Sequence, residues 1–140
     1  MNDSPLSAEQ LRLLRAIGLR DDQAAKLAES SEFVVFQFMT EAEPGIGMLQ
    51  ITNLRLRCGV VYIHDEGGGI KSLLRLKQAA ADIARAFGLA ELEVFGAALI
   101  NQRLKAVLER RGFATRVEPC PEDLGGGTME ILSRTELLVR

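Results

Sequence analysis

The chain has 140 residues, of which 47% are apolar and 26% charged, and its 17 basic and 19 acidic side chains give a formal net charge of −2. This composition is typical of one soluble globular domain, expected to span residues 1–140, and it argues against a nucleic-acid binder, which needs clustered Lys and Arg. Cys58 and Cys120 show neither CxxC spacing nor a Cys/His cluster, which argues against a zinc site or a disulfide framework.

The apolar runs and the first residues bear on where the protein works. The longest apolar run, 94–100, is far shorter than the roughly 20 residues that cross a bilayer, so no membrane association is expected. The first five residues show neither the basic cluster nor the apolar segment of a signal or transit peptide. We therefore expect a cytoplasmic protein.

The first part of the chain predicts two helices followed by strands. Ser7 and Gln10 have the spacing of a capping box, and the helix that they open is expected to end at Gly18. A second helix follows, capped by Asp21 or Asp22. Three segments rich in aromatic and β-branched residues are then predicted to be strands, over 32–39, 48–52 and 58–64.

The second part of the chain alternates helices and strands. A long helix begins at the glycine run 67–69 and ends at Gly88. The elements predicted after it are a strand over 92–95, a helix over 101–111, and strands over 113–118 and 128–133 joined by the loop 119–127. The order ααβββαβαββ predicts an α/β (α+β) fold. The apolar block 60–63 suits a strand covered on both faces, and helices must supply that cover.

A strand, a glycine-rich turn and a helix follow one another over residues 63–74. The first N–H groups of a helix have no intrahelical partner and the helix dipole is positive there, so this arrangement suits a phosphate. Lys71 and Ser72 add a charge and a hydroxyl in the first turn. The spacing is neither that of a Walker loop nor G-x-G-x-x-G, and a tight turn without a ligand is the alternative interpretation.

Between Val60 and Phe113 a strand, the glycine turn, a long helix, a strand, and a helix opened by Asn101 and closed by Gly112 and Phe113 follow one another. In this order they resemble the core of the GNAT family of N-acetyltransferases. Residues 69–74, Gly-Ile-Lys-Ser-Leu-Leu, resemble the end of the family's R/Q-x-x-G-x-G/A loop. Residues 101–113, which open on Asn101 and close on Gly-Phe, resemble its N-x-x-A-x-x-L-Y-x-x-x-G-F segment. The two segments agree with the family in order and separation, whereas the family's usual first strand, ahead of two helices, is missing here.

The resemblance implies a GNAT-like fold: a central mixed, mostly antiparallel sheet with helices on both faces, in which two parallel strands splay apart around acetyl-CoA. The implied function is transfer of an acetyl group from acetyl-CoA to a primary amine of an unidentified acceptor. The pantetheine arm would pair with the end of the strand before the turn, and the pyrophosphate would rest on the turn. The implied cofactor-binding residues are Tyr62, Ile63, His64, Gly67, Gly68, Gly69, Ile70, Lys71, Ser72 and Asn101.

Catalysis by such a protein requires a base for the amine and an acid for the leaving thiolate. Tyr62 and His64 share a strand face by alternation and form the candidate catalytic pair, although a half-buried tyrosine beside a solvated histidine is the alternative. Leu108 stands where the family usually has a tyrosine acid, and Asp65 or Glu66 where it has Arg or Gln. A catalytically inactive binding or structural protein of the same fold is therefore the second hypothesis.

The sequence raises two further possible partners: a second copy of the chain and DNA. The missing first strand leaves a sheet edge that a partner chain could cover, which makes a homodimer possible. The two N-terminal helices also allow a helix-turn-helix that reads DNA, but the second helix offers Lys26 and little else that is basic.

Overall fold

Helices and strands follow one another in the order that the sequence predicts. A computed structural model of the chain describes residues 6–39, 44–62, 69–97 and 102–138. None of the described helices is long and apolar enough to span a membrane. The helices are α1 (Ala8–Ile17), α2 (Asp21–Glu29), α3 (Gly69–Ala86) and α4 (Gln102–Arg110); the strands are β1 (Val34–Phe38), β2 (Gly45–Thr52), β3 (Arg55–Tyr62), β4 (Glu91–Ala97), β5 (Ala114–Pro119) and β6 (Thr128–Leu137).

These strands form one mixed sheet in the order β1-β2-β3-β4-β6-β5. Neighbouring strands run antiparallel except β3 and β4, which are parallel and pair from Arg55 with Glu91 to Val60 with Gly96. α3 makes the crossover between them, because two parallel strands cannot be joined by a hairpin. The predicted fold class, an α/β (α+β) chain with a mixed and mostly antiparallel sheet, is confirmed.

The predicted ends of α1 are confirmed. The N–H of Gln10 donates to Ser7 Oγ at 3.1 Å, and the N–H of Ser7 donates to Gln10 Oε1 at 2.9 Å, which completes the capping box. Gly18 ends the helix with a φ of 116°, a conformation that side chains disfavour. A Cβ at this glycine would also lie 2.1 Å from the carbonyl oxygen of Gln37.

The predicted cap of α2 is wrong. Its N-cap is Arg20, whose N–H donates to Gln23 Oε1 at 3.0 Å, and Asp21 and Asp22 lie in the first turn instead. Carboxylates in a first turn face the positive end of the helix dipole, so they stabilise the helix without capping it. Asp21 is held there by Arg15, which donates to both of its carboxylate oxygens at 2.8 Å.

The helices pack against one face of the sheet. The sequence predicts helices on both faces, whereas the buried side chains of the described helices belong to one cluster. Both crossovers, β3–α3–β4 and β4–α4–β5, join strands that run in the same direction, and their right-handedness places α3 and α4 on the same side. Buried members of this cluster include Leu14, Ala24, Leu27, Phe36, Leu49, Leu56, Cys58, Ile83, Leu92 and Leu108.

The opposite face carries a smaller apolar core. Met48, Phe95 and Ile131 are almost completely buried there, and the ring of Phe33 meets that of Phe95 edge to face at 5.9 Å. Gly59 lies directly beneath the ring of Phe95, where a Cβ would come within 2.1 Å of it. Because Gly59 has no side chain, the ring of Phe95 can pack over β3 and cover this face without a helix.

Several strands are longer than predicted. β2 begins at Gly45 and β3 at Arg55, in both cases before the predicted start, and β6 ends after the predicted end. The extension of β3 is polar, and its Arg57 lies opposite Glu93 of β4. Opposite charges on neighbouring strands stabilise their pairing. A prediction based on apolar periodicity misses strand segments of this charged kind.

Candidate functional site

The described pairing of β3 with β4 stops short of the carboxyl ends of the two strands. Its last residue pair is Val60 with Gly96. Beyond this pair, Tyr62 remains paired with β2 and Ala97 with β6. A register shift between β2 and β3 inserts Val61 as an extra residue, and such bulges bend a strand. Among the described residues, the pairing of β3 with β4 therefore ends at Val60 and Gly96, before the last residue of either strand.

α3 begins at the same edge of the sheet. At the far end of the helix, after Gly88, the N–H of Ala90 donates to the carbonyl of Leu54 at 2.8 Å, directly before β3. α3 therefore runs antiparallel to β3, and its N-terminus at Gly69 lies at the edge where the described pairing of β3 with β4 ends. Its first turn contains no acidic residue, unlike the first turns of α1 and α2. An anion at this point would meet the first helical N–H groups and the positive end of the dipole.

Part of the predicted site lies within the described residues. Tyr62 is the last residue of β3 and is 44% exposed. Gly69 and Ile70 open α3, and Lys71 is exposed in its first turn, without an ion pair to any other described residue. The remaining predicted residues lie outside the described part of the chain: Ile63, His64, Asp65, Glu66, Gly67, Gly68 and Asn101. The pairing of Tyr62 with His64 thus stays a prediction.

Ser72 lies on the inner side of α3. It is 8% exposed and lines a groove of about 210 Å³ between α1, the end of β1 and α3. Ile17, Phe38 and Met39 give the groove apolar walls, and Arg75 lines it as well. The groove opens at the edge where Tyr62 lies, because β1 and β3 run in the same direction across the sheet. The role of Ser72 as a phosphate ligand stays a prediction.

Leu108, at the position where the resembled family has a tyrosine, is a core residue. It is 3% exposed and belongs to the same core cluster as Leu73 and Val94. These three side chains also line a cavity of about 50 Å³ between α3, α4 and β4. An aliphatic side chain has no proton to give a thiolate, so this position serves packing in this chain.

A buried cluster of charged side chains lies on the face without helices, and no pattern discussed above predicts it. Arg57 is at its centre: Nε donates to Glu93 at 2.8 Å, Nη1 to Gln50 at 2.9 Å, and Nη2 to Glu118. Arg116 joins the two carboxylates, because its Nη2 lies 2.6 Å from both Glu93 and Glu118. Glu93 has no exposed surface. Arg57, Glu93 and Glu118 are largely buried and the Arg116 side chain is 44% exposed, and the charges of these four residues compensate one another.

The contacts within this charged cluster shift two pKa values. Burial alone would raise the pKa of Glu118, but the hydrogen bonds from Arg57 and Arg116 outweigh it and hold that pKa below its usual range. Burial would lower the pKa of Arg57, but Glu118 and Glu93 keep it raised. Two phenylalanine rings, whose centres lie 5.0 and 5.3 Å from the guanidinium carbon, stabilise the same charge.

An alternating charge pattern is the signal that indicates this cluster. Arg55 and Arg57 alternate with apolar residues in β3, and Glu91 and Glu93 do so in β4. The cluster borders a cavity of about 520 Å³ that is also lined by residues 119–123. This cavity lies on the face without helices and near the start of β3, so it is separate from the edge where the described pairing of β3 with β4 ends.

No protein-family model and no curated protein matches the chain. Among solved structures, the PaiA N-acetyltransferase of Thermoplasma acidophilum in complex with coenzyme A is 15% identical over 82% of this chain and 68% of its own, with a TM-score of 0.47. The ribosomal-protein-S18-alanine N-acetyltransferase of Escherichia coli is 13% identical over 96% and 92%, with a TM-score of 0.46. A GNAT-family acetyltransferase of Streptococcus pneumoniae is 14% identical over 81% and 72%, with a TM-score of 0.45. At such values these similarities assign neither an activity nor a ligand to this chain.

Proposed function

We propose that this protein is an acyl-CoA-dependent N-acyltransferase of the GNAT type that moves an acetyl group from acetyl-CoA to a primary amine. The observation that carries the proposal is that the described pairing of β3 with β4 ends at Val60 and Gly96, at the edge where α3 begins. A coenzyme A thioester has an amide-rich arm and a pyrophosphate. A gap between strands suits the arm, and a helix N-terminus without acidic residues suits the pyrophosphate.

Each part of the cofactor has a place in this proposal. The first turn of α3, from Gly69 to Lys71, would hold the pyrophosphate through its N–H groups and one lysine charge. The glycines before it, Gly67 and Gly68, would let the phosphates approach the backbone. The pantetheine arm would pair with the end of β3 near Tyr62.

The reaction needs two proton transfers. The amine nitrogen attacks the thioester carbonyl and loses a proton, and coenzyme A leaves as a thiolate that takes one up. We assign His64 as the base and Tyr62 as the acid. The groove of about 210 Å³ beside Ser72 opens at the same edge and has room for a small acceptor.

Binding of the cofactor is the first test. Calorimetric titration of the full chain with acetyl-CoA and with coenzyme A should give a micromolar Kd. A ligand at 100 times its Kd should add about 2.7 kcal/mol to the free energy of unfolding. Gly69→Glu should abolish binding because a carboxylate at the helix start repels phosphate. Lys71→Ala should weaken binding about fivefold, the effect of one exposed charge contact of about 1 kcal/mol.

The matched control is Lys26→Ala, which also removes one exposed lysine from a helix, but from α2, remote from the start of α3. It should leave the Kd unchanged. Equal weakening by Lys26→Ala and Lys71→Ala would mean that coenzyme A is attracted only by overall charge. Absence of both binding and a thermal shift would contradict the proposal.

Turnover separates catalysis from binding. Tyr62→Phe and His64→Ala should lower the rate of thiol release from acetyl-CoA with an accepted amine, while the Kd of coenzyme A changes little. Unaltered turnover in Tyr62→Phe would remove this tyrosine as the acid.

A second candidate, a coenzyme A-binding protein without catalysis, is favoured by the burial of Leu108. The chain lacks a proton donor at that position, and only a cavity of about 50 Å³ remains between α3 and α4 beside it. Such a protein would bind coenzyme A in the titration above and release no thiol with any amine.

A further inference from the structure

The fold covers one edge of the sheet with its own residues. On the outer side of β1, the carbonyl oxygen of Val35 accepts a hydrogen bond from Gln23 Nε2 of α2 at 2.9 Å. Two residues further on, the carbonyl oxygen of Gln37 lies so close to Gly18 that a Cβ on this glycine would be 2.1 Å from it. The edge that the sequence predicts to be open is therefore covered in part by α2 and the end of α1.

No other described residue covers the opposite edge of the sheet, β5. The N–H of Cys120 donates to the carbonyl of Gly127 at 2.9 Å, and hydrogen-bonded pairs alternate along an antiparallel ladder. The backbone groups of Thr115, Val117 and Pro119 therefore point away from β6. Within residues 6–39, 44–62, 69–97 and 102–138, nothing donates to these outward groups or accepts from them.

An open edge of this kind is a template for another strand. Proteins protect edge strands with bulges, prolines, charges or a covering segment. β5 pairs with β6 without a register shift, and its one proline, Pro119, is at its very end. Val117 is 65% exposed in the middle of the strand.

We propose that a second copy of this chain pairs with the outer edge of β5, antiparallel and about a two-fold axis at Val117, so that two sheets become one. In this register Val117 exchanges both backbone hydrogen bonds with its counterpart, and the N–H of Thr115 donates to the carbonyl of Pro119 in the second copy. Arg116 then lies opposite Glu118 of the second copy on either side of the axis.

The charges of β5 favour this register over the adjacent one. Arg116 and Glu118 would occupy non-hydrogen-bonded positions, where facing side chains approach most closely and opposite charges stabilise the pairing. Arg116 uses Nε and Nη2 within its own chain, and its Nη1 has no partner among the described residues, so one donor remains for the second copy. In the adjacent register the axis lies at Arg116 and the strands are displaced by two residues; Arg116 then faces its own counterpart, and the like charges would repel each other.

Light scattering coupled to size-exclusion chromatography tests the dimer from about 1 to 100 µM, the range in which a micromolar Kd is visible. The wild-type chain should become dimeric across this range. Val117→Lys and Val117→Glu should each stay monomeric, because identical charges meet at the axis. An equimolar mixture of the two variants should be dimeric, because opposite charges then meet there. Leu137→Lys is the control, since Leu137 is 79% exposed in β6 and away from this edge.

Disulfide formation tests the position of the axis. Facing Cα atoms in a hydrogen-bonded pair are about 5.5 Å apart, within the range that a disulfide spans. With Cys120→Ser as background, Val117→Cys should form a disulfide-linked dimer under oxidation, and Thr115→Cys should not, because its counterpart lies several residues away. Circular dichroism should show that all variants fold.

Three results would overturn the proposal: a wild-type chain that is monomeric at all concentrations, a dimer that survives Val117→Lys, or equal cross-linking of both cysteine variants. None of them bears on coenzyme A binding, since this dimer does not depend on the proposed activity.

Discussion

Removal of Arg57 tests whether the buried charged cluster stabilises the sheet. In Arg57→Leu, Glu93 stays fully buried and loses a hydrogen bond of 2.8 Å, but it keeps Arg116 at 2.6 Å. Removal of one partner from a buried ion pair costs about 3–5 kcal/mol when the remaining charge is left alone. Because Arg116 remains on both carboxylates, we expect the free energy of unfolding to fall by about 2–4 kcal/mol.

Two companion variants separate charge from geometry. Arg57→Lys keeps the charge but cannot reach three acceptors with one ammonium group, so the expected loss is about 1–2 kcal/mol. In the double variant Arg57→Leu/Glu93→Leu, no buried charge is left without its partner. Its loss should be smaller than the sum of the two single losses by about 1–3 kcal/mol.

Urea unfolding followed by circular dichroism near pH 7 measures these differences. The control is Arg12→Ala, which breaks an exposed ion pair with Glu9 on α1 and should change stability little. If Arg57→Leu costs no more than this control, or if the double variant is simply additive, then the charged cluster does not stabilise the sheet as reasoned here.

Three other buried or partly buried positions give measurable expectations. Gly59→Ala should lower the free energy of unfolding by about 1–3 kcal/mol in urea, because its Cβ would lie 2.1 Å from the ring of Phe95; a neutral effect would contradict that packing. Burial raises the pKa of Cys58 to about 12, so a thiol reagent should modify only Cys120 in the folded protein and both thiols in urea. Because the pKa of Glu118 is lowered in the folded state, its stabilising contribution should be lost as the pH falls below about 4, and Glu118→Gln should flatten that part of the pH profile.

The local signals in the sequence were sufficient for most of the fold. The capping box of Ser7 and Gln10 and the helix end at Gly18 depend on residues within one turn of each other, so the printed sequence contains everything that determines them. The element order follows from the same kind of evidence. A parallel pair flanking a long helix was also predictable, because a strand, a helix and a strand in succession require a crossover.

The charged cluster was not predictable by those means. Arg57 meets Glu118 only after β3, β4, β6 and β5 have assembled, and the two residues are far apart in the sequence. Polar residues at the start of β3 weaken the apolar pattern on which its predicted start depended. The position of Ser72 could not be predicted either, because the groove that it lines is formed by α1 and β1, elements from another part of the chain.

The two ends of the parallel pair β3–β4 differ in how the two strands are joined. Toward the carboxyl end, the described backbone pairing of β3 with β4 stops at Val60 and Gly96. At the amino end the pairs Arg55 with Glu91 and Arg57 with Glu93 join the same two strands through side chains. A slip of one residue would turn Arg57 toward the apolar core under the helices, so these charges fix the register strongly. A parallel pair that is fixed in this way at one end can open at the other end without a change of register.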